Sequence, residues 1–323
     1  MTWLLGRVAS AIITYLMATT LIFFLMRLTP GDPLSRLSED RPMPAEARQH
    51  LLELYGTDLP LTVQYRRFLR AAFAGSLGGS IAQGGRPVTT LIAERIPATL
   101  LLGTTALALN FIFGIWLGVW QARRHGTPAD QWASVLSLAA YATPAFWLGL
   151  ALIWLFGVEL RLLPTGFMHD PLLPMNAGPW ERTGDLLRHL ILPAATLSLA
   201  TIGATARYQR AAMIDALELG CVRTARVKGL PEGAVLWRHA WRNALGPMLA
   251  LFGLWLPLLV AGSVFVESIF SWPGLGTLAW EGIGTRDYPV IMGVALLVSA
   301  AVVGGSLMAD LLHRWLDPRL RTA

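Results

Sequence analysis

The chain has 323 residues, 54% of them hydrophobic and only 14% charged, with 13 tryptophans and a formal net charge of +6. Soluble domains carry about a quarter charged residues, so this composition excludes an ordinary pair of soluble domains and indicates a polytopic, all-helical membrane protein. The one cysteine, Cys221, has no second thiol and no metal-ligand companions in sequence, so redox chemistry is not indicated.

A spanning helix needs ~20 mostly apolar residues. Six such runs lie near 8 to 28, 99 to 121, 133 to 157, 189 to 207, 248 to 271 and 289 to 312. The first, VASAIITYLMATTLIFFLMRL, exceeds the apolar core of a cleaved leader and continues into TPGDP, so it reads as a retained signal anchor. With six spans both termini share a side. Placing them in the cytoplasm puts Arg7, Arg123, Arg124, Arg207, Arg210, the cations from Arg223 to Arg242, Arg314, Arg319 and Arg321 inside. The two short outer loops then hold only Arg161, Arg182, Arg188 and Arg286, which is the positive-inside bias.

The expected organisation is a cytoplasmic N-terminus and first span (1 to 28), an extracytoplasmic helical segment (29 to 98), a five-helix core (99 to 313) and a cytoplasmic tail (314 to 323). In the outer segment PAEARQHLLELYG has proline in a first-turn position and ends at Gly56, and a second helix follows in LTVQYRRFLRAAFAG. Arg66, Arg67 and Arg70 on that second helix face lipid headgroups or a ligand; the interfacial amphipathic helix is the commoner arrangement. Turns at Pro30-Gly31 and Pro273-Gly274 mark where the chain leaves the membrane on the outer side.

The segment 208 to 247 holds the chain's single lysine, Lys228, among Arg223, Arg226, Arg238 and Arg242. Each cation at a helix centre costs about 2.5 to 3.5 kcal/mol, so the segment is not a seventh span. It reads as helix, turn, helix: Gly229 stands where a left-handed cap is needed, Pro231 follows, and Glu232 opens a helix with Trp237/Trp241 and Arg238/Arg242 at i,i+4. Charge alone fits a positive-inside loop with interfacial tryptophans. Thr224 and Ala225 add a second reading, since small side chains let a short helix enter a partner's groove while flanking cations meet acidic edges.

Inside the spans ionisable groups are few. Glu267 lies near the outer end of the fifth run and Asp310 near the inner end of the sixth, where both can snorkel or cap; Asn110 in the second run reads as interhelical glue or as part of a polar path. An ion-coupled carrier would carry more buried carboxylates. An intramembrane hydrolase needs a base in reach of its nucleophile, and neither Ser263 nor Ser306 has a histidine placed in another span. The basic loop is too short, and too closely tethered to the bilayer, to bind nucleic acid.

VRTARVKGL followed by RHAWRNALGP resembles the cytoplasmic loop of inner-membrane permease subunits of ABC importers, in the dipeptide, oligopeptide and nickel branch. The likeness extends through RLTPGDP, YGTDLPLTVQY, GSLGGS, ATPAFWLGL, HLILPA, SIFSWPGLG, RDYPVI and LDPRLR. Departures are Gly220-Cys221, where the family often has an acidic-aromatic pair, Val227 for alanine, Ser76 for aspartate and Gly246 for a bulky apolar residue.

The resemblance implies a type I ABC importer permease fold with six spans in a bacterial inner membrane. It implies that Arg223, Thr224, Ala225, Arg226, Lys228 and Gly229 form a coupling helix for an ATP-binding subunit. Asn110 and Glu267 become translocation-path residues, and peptides become the cargo, with nickel or a metal chelate as the alternative. The implied partners are two ATP-binding subunits, a second homologous permease, an extracytoplasmic substrate-binding protein facing the outer segment and SWPGLGTLAWEGIGTRDYP, and membrane lipid. A Walker A loop ends in Gly-Lys-Ser/Thr, whereas Lys228 lies between Val227 and Gly229. ATP and magnesium are therefore expected in the partner subunits, with no cofactor or metal in this chain.

Overall fold

The computed structural model describes residues 2–28, 49, 59–255 and 264–316. Its helices are α1 (Thr2–Leu28), α2 (Leu61–Phe73), α3 (Val88–Arg123), α4 (Pro128–Ala142), α5 (Ala145–Leu152), α6 (Pro179–Leu217), α7 (Gly220–Val227), α8 (Glu232–Ala234), α9 (Trp241–Asn243), α10 (Leu245–Trp255), α11 (Val264–Ile269), α12 (Leu275–Thr285) and α13 (Tyr288–Leu316). Among the described residues there is no strand, only one isolated antiparallel bridge between Gly79 and Pro87. The helix expected from Pro44 to Gly56 lies, apart from Gln49, outside the described residues, as does the Pro30-Gly31 turn.

Four described helical stretches are long and apolar enough to cross a membrane: Leu5–Leu28, Val88–Arg123, Pro179–Leu217 and Tyr288–Leu311. The second and third exceed the sequence expectation. At 1.5 Å per residue their 36 and 39 residues extend ~54 and ~58 Å, well beyond a ~30 Å hydrocarbon core. The run 133 to 157 is not one straight span, because α4 and α5 meet at an angle of 104°. Pro144 disfavours helical geometry at Thr143, whose ψ is 127°, so the chain turns there and α5 then continues as a π-helical segment, Ile153–Glu159. The run 248 to 271 appears as α10 and α11, with 256–263 outside the described residues.

The chain divides into two compact units. One combines Met1–Thr99 with Pro273–Val303, the other Leu100–Trp272 with Gly304–Ala323. The described part of the expected outer segment, 59–98, is thus grouped with the first span and with the start of the last.

In the first unit Phe23 of α1 packs on Tyr65 and Phe68 of α2, with ring centroids 5.2 and 5.3 Å apart, and the Thr20 and Tyr65 hydroxyls lie 2.6 Å apart. Two motifs distant in sequence form one clasp. Buried Ser80, from GSLGGS, donates to Asp287 Oδ2 of RDYPVI at 2.5 Å, and the Ala82 N–H donates to the same oxygen at 3.0 Å. Buried, fully paired polar groups of this kind fix loop geometry because either partner alone would be left desolvated.

In the second unit α4 and α6 approach closely. A Cβ on Gly203 would collide with the Ser137 carbonyl oxygen, so only glycine fits at that crossing. The C-terminal ends of α3 and α6 pack with α7 and the segment after it in one cluster: Val119, Met213, Val222, Ala225, Val235 and Leu236 are all buried.

Candidate functional site

The site begins where α6 ends. Glu218 and Leu219 break the helix after Leu217, and α7 restarts at Gly220. Its C-terminus is closed by the cap expected from the sequence. Gly229 has φ +73°, its N–H donates to Arg226 O at 2.9 Å, and the Leu230 N–H reaches back to Ala225 O at 3.3 Å, the paired bonds of a Schellman motif. A Cβ added at Gly229 would meet nothing within 4 Å, so φ rather than space restricts this position. Gly229→Val is expected to cost about 2 kcal/mol, with Gly229→Asn losing clearly less. Thermal unfolding of the purified variants checks both.

The eight residues of α7 are amphipathic. Val222 and Ala225 point into the cluster of α3, α6 and the following segment, while Arg223, Thr224, Arg226, Val227 and Lys228 are exposed. This corrects one element of the sequence reading. Ala225 is only 3% exposed and packs on its own chain, so its small side chain serves internal packing and is not presented to a partner. Val227 is 88% exposed at the opposite side, a large apolar residue flanked by cations. Arg226 is engaged within the chain, its Nε donating to Glu232 Oε1 at 2.9 Å; an exposed pair of this kind adds little stability but holds the turn at Pro231. The Thr224 hydroxyl donates back to Gly220 O at 2.9 Å.

The second helix of the loop differs in detail from its expected form. It is a single turn, α8, then a π-helical segment, Val235–Ala240, then α9. Trp237 and Trp241 still meet edge to face, with centroids 5.6 Å apart. Buried Val235, Leu236 and Ala240 anchor the segment to the cluster under α7.

A side-chain clamp beneath this site escapes sequence reading. Arg210, seven residues before the end of α6, donates from Nε to Asp130 Oδ1 at 2.8 Å and from Nη2 to Oδ2 at 2.7 Å. The Gly126 N–H also donates to Asp130 at 3.1 Å, and Arg210 Nη2 lies 2.9 Å from His125 Nδ1. Asp130 is buried at the start of α4, where Thr127 caps the helix. The forked geometry fixes the stem of α6, from which α7 projects. The partners are 80 residues apart, and no local spacing links them.

The two expected path residues are not brought together. Asn110 is buried on α3, its Oδ1 accepting from the Thr205 hydroxyl of α6 at 3.0 Å, and it borders a small cavity with Thr201 and Trp255. That is the interhelical role, with a polar edge left toward a void. Glu267 is fully buried on α11 rather than snorkelled to the surface, and it lines neither cavity described. His169 and His189 share Asp185, at 3.0 and 3.1 Å. Among the described residues no group of three or more His, Cys, Asp or Glu could hold a metal ion.

Comparison with known proteins matches residues 110–322 to the binding-protein-dependent transport system inner membrane component family, and residues 1–103 to its N-terminal component. The chain is 38% identical to the oligopeptide transport system permease protein AppB of Bacillus subtilis, over 98% of both chains. It is also 38% identical to the di/tripeptide transport system permease protein DppB of Pseudomonas aeruginosa, over 98% of this chain and 97% of that one. The same identity holds for the probable D,D-dipeptide transport system permease protein DdpB of Escherichia coli, over 92% and 91%. A crystal structure of an amino acid ABC transporter with histidines shares the fold, with TM-score 0.50 at 16% identity over 71% of this chain and 95% of that one. With its apolar helices and a match along nearly its whole length, the chain belongs to the binding-protein-dependent transport system inner membrane component family, as a multi-pass permease subunit of an ABC importer that works with separate ATP-binding and substrate-binding proteins.

Proposed function

We propose that this permease passes peptides across the inner membrane, and that the exposed face of α7 is where an ATP-binding subunit docks. The observation that carries the docking reading is the polarity of α7: Val222 and Ala225 lock one side into the chain, leaving Val227, Arg223 and Lys228 on the other. A stiff, capped helix anchored by its inner side transmits displacement to α6, and the Asp130–Arg210 clamp carries it to α4. Peptide as cargo is supported by the named substrates of the relatives above; nickel or a metal chelate is the alternative they do not favour. An ion-coupled carrier is the remoter one.

In this reading the assembly contains two ATP-binding subunits, which hold ATP and magnesium, a second homologous permease and an extracytoplasmic binding protein. Both termini are cytoplasmic, as the distribution of arginines supports. Asn110 and Glu267 remain the proposed polar residues of the path, with Arg223, Thr224, Arg226, Lys228 and Gly229 building the docking face or its cap and Ala225 supporting it from beneath.

Reconstitution of the complete assembly in liposomes tests the cargo. ATP-dependent uptake of a labelled di- or oligopeptide, with no uptake of nickel ion, is expected. Nickel uptake without peptide uptake overturns the assignment.

A further inference from the structure

A cavity within the first unit measures about 500 Å³. Its wall is mostly apolar, with Phe23, Phe68, Met292 and Leu296; among the described residues its charged members are Arg27 and Arg67, with no carboxylate. The guanidinium of Arg27 lies between two rings, 5.8 Å from the Phe23 centroid and 6.0 Å from that of Tyr288. Such stacking orients a cation while leaving its N–H groups directed outward for an anion.

Arg27 sits at the end of the apolar stretch Leu5–Leu28, and Tyr288 begins the apolar stretch Tyr288–Leu311, so the cationic end of the cavity lies where two spans reach the membrane interface. Phe23, Met292 and Leu296 lie one or two turns further into those spans, about 6 to 12 Å along the helix axis. Arg67 comes from α2, whose exposed Arg66, Arg67 and Arg70 mark it as an interfacial helix. Cation at headgroup depth and apolar wall at acyl depth is the profile of a phospholipid. A small polar anion would leave the apolar part of so large a cavity unfilled, and a neutral lipid would not use the arginines.

We infer that this cavity is a binding site for an anionic phospholipid, its phosphate held by Arg27 and Arg67 and an acyl chain lying along Phe23, Met292 and Leu296. The site secures α1 and α2 against the start of α13 through a ligand, independently of which cargo the assembly carries. Removing both arginines removes the charge-assisted contacts to phosphate.

The test uses the complete transporter in nanodiscs containing equal parts phosphatidylglycerol and phosphatidylcholine, with bound lipid counted by native mass spectrometry after mild delipidation. The unaltered protein is expected to retain phosphatidylglycerol with a preference of about tenfold. Arg27→Gln/Arg67→Gln is expected to lose that preference while the assembly stays intact, and Arg66→Gln/Arg70→Gln, which changes cations outside the cavity, is expected to keep it. Equal retention of both lipids by the unaltered protein overturns the inference. So does an unchanged preference in the Arg27/Arg67 variant, or full displacement of the lipid by inorganic phosphate or by a transported peptide.

Discussion

Arg210→Met lowers the stability of the folded chain by about 3 kcal/mol, among the largest effects expected of any single substitution here. The reason lies with the partner: Asp130 is 1% exposed and loses both guanidinium bonds, leaving a desolvated carboxylate supported by the Gly126 N–H at 3.1 Å and by His125 Nδ1 at 3.6 Å. The arginine itself is partly open to solvent, which places the cost at the lower end of the range for broken buried pairs. Asp130→Asn combined with Arg210→Met removes the stranded charge and is expected to recover a large part of the loss. Thermal unfolding of the two single variants and the double variant measures the coupling. A loss in the double variant equal to the sum of the single losses contradicts a direct pair. Because the clamp fixes the stem from which α7 projects, the double variant is also expected to transport more slowly per ATP hydrolysed even where its stability is restored.

The second large effect separates the two faces of α7. Val227→Asp leaves the fold nearly unchanged, within about 0.5 kcal/mol, because the side chain touches little of its own protein. It places an anion beside Arg223 and Lys228 at the centre of the proposed docking face, where it repels an acidic partner edge of the kind those cations suit. The expected result is association with the ATP-binding subunit weakened about thirtyfold, as for a central interface residue worth about 2 kcal/mol. Ala225→Arg behaves oppositely. It forces a long cation among Val119, Met213, Val222 and Leu236, so folded yield falls before docking can be measured. Expression yield together with pull-down of the ATP-binding subunit distinguishes the two variants.

The contrast between Val227 and Ala225 also shows what one sequence carries. Both residues are in VRTARVKGL, and the helix, its end at Gly229 and the restart after Pro231 follow from local rules about caps and φ that need no tertiary information. Which side of an eight-residue helix turns inward is set by what packs beneath it. Here that is Val119, about a hundred residues earlier on α3, and Met213 near the end of α6. A small residue on such a helix reads equally as a docking contact and as a packing residue until the core is known.

The apolar runs were legible because burial in lipid demands length and composition. Their geometry was not. The bend at Thr143-Pro144 lies inside a run whose hydropathy is continuous; the signal was Pro144 itself, which restricts the preceding residue. The overshoot of α3 and α6 past the bilayer came from helix-compatible polar sequence at their ends, which a hydropathy window counts as loop. The Ser80–Asp287 and Asp130–Arg210 pairs are separated by 207 and 80 residues, so nothing in the chain's local pattern announces them.

The most direct test of the docking claim uses the chain's single cysteine. Cys221 is exposed on α7, so a thiol-directed bifunctional crosslinker reports on that helix without altering another residue of the chain. In the assembled transporter the product is predicted to join Cys221 to an ATP-binding subunit, with a yield that falls in Val227→Asp. Efficient labelling of Cys221 with no crosslink to that subunit, in an assembly that still transports, would contradict the account.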